Sequence, residues 1–326
     1  MLMNRTLKSI LTDPLISQIS ADAIKNMDLS KEEYYNWTLQ EIADKMGWHS
    51  LNSGFTKLFE VARTGNYYFN LYSEDEVLAD PEKKGANFVY FPSKDEKAKD
   101  RPFIVLIPGG GFVNVWNITE GWPIANIYNE LGYNVFIITY RVMVDGCAVK
   151  AMEDISRAMK IINSKKDEFG VDPNRYITCG FSAGGYVLCL WNSDKGYRAY
   201  DMPKPLACFP IYPVTSFRII RDNMWDPKAK EDCAVGSVGC SIDKACESSF
   251  EIPEHVEGFP PTAIFLAAED DLVNPLHSKN LAKALEEAGI PCRLEIGPAG
   301  GHGFSDGKGM CMEGWPERAI EWFENL

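Results

Sequence analysis

From Arg101 to the C-terminus, short continuous apolar runs alternate with longer amphipathic segments, and no other property of the chain restricts its fold as much. PFIVLIP, NVFIITY, RYITCG, LACFPIYP, TAIFLAAE and RLEIG read as strands. Between them lie a helix ending at Leu131, another over Val149 to Ser164, the helix-like AGGYVLCLW, a helix over Pro275 to Ala288 and a last one over Pro316 to Phe323. A strand that is apolar along its length is buried on both faces. The pattern therefore predicts an α/β protein whose sheet is mostly parallel and flanked by helices.

The flanks of this alternation read differently. Residues 1–66 have helical character, with Leu7, Ile10 and Leu11 at helical spacing, and SKEEYYNWTLQEIADKMGW predicts a helix starting at Ser30 with an acidic first turn. We expect them to form a helical N-terminal extension packed on a main domain of residues 67–326. Tyr67 to Tyr72 and Asn87 to Phe91 predict a hairpin broken by the turn-like ADPEKKG. Residues 214–259 lose the alternation and become polar and cysteine-bearing. A bare connection in a compact domain is rarely so long, so the expectation is a lid insertion.

Composition excludes some function classes. A formal net charge of -13 repels phosphate backbones and anionic lipid, so neither nucleic acid nor membrane is an expected partner, whereas a neutral small molecule suits such a surface. Polar residues interrupt every apolar run of the opening MLMNRTLKSILTDPLISQIS, which leaves no secretion-signal core. Nine cysteines, an odd number without a CxxC pair, read as reduced thiols of a cytoplasmic protein. Cys233, Cys240 and Cys246 are spaced by seven and six residues with no histidine among them, which does not fit a zinc site. No metal or organic cofactor is expected, and a homo-oligomer is left open.

Gly180-Phe181-Ser182-Ala183-Gly184 follows the strand RYITC and precedes a helix. A serine at such a sharp strand-to-helix turn is held in a strained backbone conformation. Its hydroxyl is presented at the carboxyl edge of the sheet, with a helix N-terminus aimed at any developing anion. A serine hydroxyl at neutral pH also needs a base. Of the four histidines, His302 lies in the glycine-rich GPAGGHGFSDG after a strand. His49, His255 and His277 read instead as surface or capping residues. The acid that orients the base is sought after a strand between serine and histidine, where AAEDDLVNP offers Glu269, Asp270 and Asp271.

Pro108-Gly109-Gly110-Gly111-Phe112 follows FIVLI. Three glycines permit unusual dihedrals and bring backbone N–H groups against a substrate, so Gly110, Gly111 and Ala183 are the expected oxyanion donors. A phosphate loop is disfavoured, because PGGGF lacks both the GxGxxG spacing and the Walker lysine. Phe112, Trp116 and Tyr140 follow strand ends on the same edge and read either as a substrate pocket or as core packing.

PGGGF, GWPIANIYNELGYNVFIITYRV, GFSAGG, AAEDDLVNP and GGHGF together make residues 101–326 resemble the α/β-hydrolase superfamily. The branch resembled is that of hormone-sensitive-lipase-like esterases and bacterial acetyl-xylan or carbohydrate acetyl esterases. The resemblance implies the α/β-hydrolase fold, and it places the acid at Asp270, with Val273 three places on and Asp271 as the fallback. It implies a serine esterase of short-chain, acetyl esters, including those of carbohydrates, working through an acyl-enzyme. Many relatives have a histidine before the glycine run, where this chain has Pro108. An amidase or peptidase with the same residues, or a binding protein that kept the fold, are the competing readings.

Overall fold

The computed structural model describes residues 2–23 and 28–326, so Met1 and residues 24–27 of the N-terminal region lie outside the described residues. Eight strands form one sheet: β1 (Tyr68–Asn70), β2 (Asn87–Phe91), β3 (Phe103–Ile107), β4 (Val135–Thr139), β5 (Tyr176–Phe181), β6 (Ala207–Ile211), β7 (Thr262–Ala267) and β8 (Cys292–Gly297). Their spatial order is β1-β2-β4-β3-β5-β6-β7-β8. β1 and β2 run antiparallel at one edge, and every pairing from β4 to β8 is parallel. Along β2 to β7 every strand residue is buried, as a sheet covered on both faces requires.

The two faces carry separate apolar clusters. One joins Val89, Leu106 and Ile177 to the helices Trp122–Glu130 and Trp315–Glu324. The other joins Val105, Phe136 and Tyr176 to Cys147–Ser164 and Ser182–Asn192. β3 and β5 lie side by side at the centre and pair from Phe103 with Tyr176 to Ile107 with Gly180. The segments that follow them, Pro108–Phe112 and Ser182, are thereby brought to one sheet edge.

The N-terminal helices share the first cluster, in which Leu7, Ile10 and Leu11 are buried with the sheet residues. The helix Leu51–Ala62 lies so close to Trp122–Glu130 that a β-carbon on Gly54 would sit 2.6 Å from the nitrogen of Pro123. Two local expectations are corrected here. The helix expected from Ser30 begins at Leu39, because Thr38 accepts from the Glu41 N–H while the Glu41 carboxylate takes the Thr38 N–H, and this reciprocal cap outcompetes the upstream acids. β1 and β2 do pair antiparallel, yet no simple turn joins them. A helix Glu74–Ala79, capped in the same reciprocal way by Ser73 and Glu76, and the single turn Pro81–Lys83 fill the connection.

The segment between β6 and β7 folds into the helices Phe217–Asn223, Pro227–Val238 and Ile242–Cys246. It docks on the core where the Gly146 N–H meets the Val235 carbonyl at 3.1 Å. Among the described residues no helix is long and apolar enough to cross a membrane.

Candidate active site

Ser182 lies at the junction of β5 and the helix Ser182–Asn192, with φ of 51°, a left-handed conformation costly for a residue with a side chain. Close packing holds it there. A β-carbon on Gly180 would approach the Gly184 carbonyl to 2.8 Å, and one on Gly184 would lie 2.3 Å from the carbonyl oxygens of both Ile107 and Pro108. Only glycine lets the elbow sit this near β3.

His302 reaches the serine from the loop after β8, with Nε2 2.9 Å from Ser182 Oγ. Its Nδ1 lies 2.7 Å from Asp270 Oδ2. An ionised carboxylate only accepts, so Nδ1 carries the proton and Nε2 is left to take the hydrogen of the serine hydroxyl. The second oxygen of Asp270 accepts the N–H groups of Leu272 at 3.1 Å and Val273 at 2.8 Å, which sets the carboxylate plane. Asp270 is nearly inaccessible and His302 slightly open, with side-chain exposures of 2% and 13%. Glu269 and Asp271, the other acids of the loop, are both exposed.

Gly110 and Gly111 turn through φ of 122° and 61°, and Phe112 follows at 61°. The carbonyls of the loop are used internally: Gly109 O accepts from Trp116 N at 2.9 Å, and Gly110 O from Val113 N at 3.0 Å. Among the described residues no acceptor takes the N–H of Gly110 or Gly111, and Ala183 N–H, in the first helical turn, has none either. These are the three donors expected from the sequence.

The candidate pocket residues separate. Tyr140 is buried and donates its phenol hydrogen to Pro108 O at 2.9 Å, so it is a strut under the glycine loop, and a lining role for it is withdrawn. Phe112 and Trp116 are half-buried. Trp116 meets Trp48 of the N-terminal region edge-on, with ring centres 6.2 Å apart. A cavity of about 360 Å³ opens between Ile219, Ile220 and Met224 of the insertion and Leu272, meeting the site at Asp270.

His277 is also corrected. It is buried, and its Nδ1 accepts the N–H groups of Thr215 and Ser216, each at 3.1 Å. Burial lowers its pKa to about 4. Sequence reasoning passed over Glu120 altogether. This acid is buried, accepts the Gly109 N–H at 2.7 Å and takes a hydrogen bond from Tyr212 at 2.9 Å. A signal was present, since Glu120 is the one charged residue between Arg101 and Glu130. Cys233, Cys240 and Cys246 all lie in the insertion, and among the described residues no group of His, Cys, Asp or Glu is arranged to hold a metal.

The BD-FAE family model matches residues 89–285, which take in Gly110, Ser182 and Asp270 and stop short of His302. An acetylxylan esterase of Xylanibacter ruminicola is 26% identical over 211 residues, covering 63% of this chain and 41% of that protein. Endo-1,4-beta-xylanase B of Butyrivibrio fibrisolvens is 24% identical over 235 residues, covering 70% and 36%. The chain thus spans under half the length of these two relatives. The crystal structure of an acetyl ester-xyloside bifunctional hydrolase from Caldicellulosiruptor lactoaceticus superposes with a TM-score of 0.65 at 23% identity, covering 79% of this chain and 95% of that one, a likeness of fold. With a family match over more than half of its length on a sheet of this order, the chain belongs to the BD-FAE family and has the α/β-hydrolase fold.

Proposed function

We propose that the chain is a serine-dependent carboxylic ester hydrolase acting on short-chain esters, acetyl above all, with acetylated carbohydrates as the substrate class. The hydrogen-bonded series Asp270, His302, Ser182 carries this reading, at 2.7 and 2.9 Å. A hydroxyl this close to an imidazole whose far nitrogen is held by a carboxylate is set up for proton transfer.

Ser182 attacks the ester carbonyl as His302 takes its proton. Asp270 holds the imidazole tautomer and balances the charge that forms. The oxyanion falls to the N–H groups of Gly110, Gly111 and Ala183, where each donor is worth about two to three orders of magnitude in rate. His302 then gives the proton to the leaving alcohol, and water, activated by the same histidine, releases the acid from Ser182. Each half of the reaction is an addition at one carbonyl followed by collapse of the adduct, which breaks the bond first to the alcohol and then to Ser182 Oγ, and His302 moves the proton that each collapse requires. The acetyl and carbohydrate preference is supported by relatives known as an acetylxylan esterase and an ethyl acetate hydrolase.

Hydrolysis of p-nitrophenyl acetate, butyrate and octanoate by the wild type and Ser182→Ala tests the reading. Activity that falls with chain length and is absent from the variant is the expected result, followed by acetate release from acetylated xylo-oligosaccharides. A variant as active as the wild type overturns the serine assignment.

A further inference from the structure

We infer that Glu120 is a positioning residue of this reaction, one buried carboxyl that ties the oxyanion loop to the histidine loop through Tyr212; this rests on the reading of Ser182 as nucleophile. Glu120 sits in a wide π-helical turn, Asn117–Gly121, and is 4% exposed. π turns break the regular hydrogen-bond ladder and recur at functional sites. Among the described residues no lysine or arginine pairs with it.

Its own contacts reach two loops, and through Tyr212 a third. Oε2 accepts the N–H of Gly109, and Oε1 accepts the hydroxyl of Tyr212. The Tyr212 oxygen in turn lies near the backbone N–H of Ser305, three residues past the base. Ser305 donates its hydroxyl to Thr119 O and receives Trp315 Nε1 on its carbonyl, so the histidine loop is stitched back onto the turn that carries Glu120. The Tyr212 ring also packs against the His302 ring, with centres 4.8 Å apart and planes inclined by 61°. Tyr212 holds φ of 37°, a strained value, while its own N–H is bound to Phe265 O.

Gly109 is the hinge of this arrangement. A β-carbon there would lie 2.9 Å from both Glu120 Oε2 and Ser182 Cβ, so a single layer of backbone separates the carboxyl from the nucleophile. Burying a carboxyl is expensive, and a strut between two loops could be made from an amide. What a carboxylate adds is charge. Burial pushes the Glu120 pKa up, while the Gly109 N–H, the Tyr212 hydroxyl and the nearby His302 act in the opposite direction. Both Glu120 oxygens accept, one from the Gly109 N–H and the other from the Tyr212 hydroxyl, which is the pattern of a carboxylate, so when His302 takes the proton of Ser182 a cation forms across the Tyr212 ring from an anion. The attraction grows as the reaction proceeds, so its loss affects kcat more than KM.

Glu120→Gln preserves shape and an oxygen for Gly109, removes the charge and presents an N–H to Tyr212. The expected result with p-nitrophenyl acetate is a kcat lower by about 10- to 100-fold with KM within about twofold, less than direct loss of an oxyanion donor at its upper end. The acid limb of kcat/KM against pH also moves to lower pH, because His302 loses a neighbouring anion. A wild-type kcat with an unmoved limb overturns the inference. So does a loss that tracks only the folded fraction while the limb stays in place. If Glu120→Gln does not fold, Tyr212→Phe keeps the ring on His302 and cuts the hydroxyl link: a lower kcat at a KM within about twofold is expected, and a wild-type kcat overturns the inference. Ser182→Ala run in parallel separates the claims: full activity there overturns the nucleophile reading itself, whereas an inactive Ser182→Ala beside an unchanged Glu120→Gln overturns only the role of Glu120.

Discussion

Arg141 and Asp154 form an ion pair with Nε 2.9 Å from Oδ1, and neither side chain is more than 2% exposed. Asp154 Oδ2 also accepts the Arg141 backbone N–H at 2.9 Å, and Oδ1 accepts the hydroxyl of Tyr72 at 2.6 Å. The pair anchors the end of β4, next to the Tyr140 that supports Pro108. Removing Asp154 leaves the buried Arg141 guanidinium with only the exposed Glu153 as a charged partner, and takes the acceptor away from the Arg141 backbone N–H and the Tyr72 hydroxyl. Asp154→Ala is therefore expected to destabilise the fold by about 3–5 kcal/mol, read from the urea midpoint.

Two glycines of the site separate steric from conformational need. Gly184→Ala forces a methyl group against two backbone carbonyls at 2.3 Å, which pushes the helix bearing Ser182 off β3. We expect about 3 kcal/mol or more of lost stability and hydrolysis near background. Gly111→Ala meets nothing within 4 Å, and its only penalty is a φ of 61°. Because it keeps its N–H, a cost of about 1–2 kcal/mol is expected, with most activity retained. Thermal melts and p-nitrophenyl acetate rates on both variants decide; equal effects would contradict the packing described here.

Asp270→Asn and Asp271→Asn distinguish the acids of the loop. Only Asp270 touches His302, and an amide in its place lets the imidazole hold the wrong tautomer. A fall in kcat of about three to four orders of magnitude is expected at 270, and a change within about twofold at the exposed 271. Steady-state kinetics at one pH suffices to tell them apart.

The pH dependence of stability should carry the signature of His277. Burial lowers its pKa from 6.5 to about 4, so between these values the unfolded chain binds a proton that the folded chain refuses. Stability attributed to this residue is complete above pH 6.5 and drains away as the pH falls towards 4, by a total of about 3 kcal/mol. His277→Asn leaves an oxygen for the Thr215 and Ser216 N–H groups but has no proton to gain. Its melting temperature is expected to fall less steeply than that of the wild type across this window. Parallel slopes for the two proteins would remove His277 from the account.

Local pattern determined a good deal by itself. Strands without a polar side announced the parallel sheet, and a serine between glycines at a strand end, a histidine in a glycine-rich loop and an acid after another strand announced residues that the fold brings together. Such features are legible because one short segment specifies both the backbone conformation and the residue that needs it. Thr38 shows the limit of this: its reciprocal cap with Glu41 and the upstream Ser30 start are both written locally, and only their competition decides which is used. Among three adjacent acids the residues themselves offered no choice, and the resemblance pointed to Asp270, which the structure sets against His302; three-dimensional structure alone decided that Tyr140 is a strut, and that Glu120 and His277 are buried. The partners that settle those roles, Gly109, Tyr212, Thr215 and Ser216, come from separate segments. A side chain's exposure and its hydrogen-bond partners depend on what the rest of the chain packs against it, and no local pattern records that.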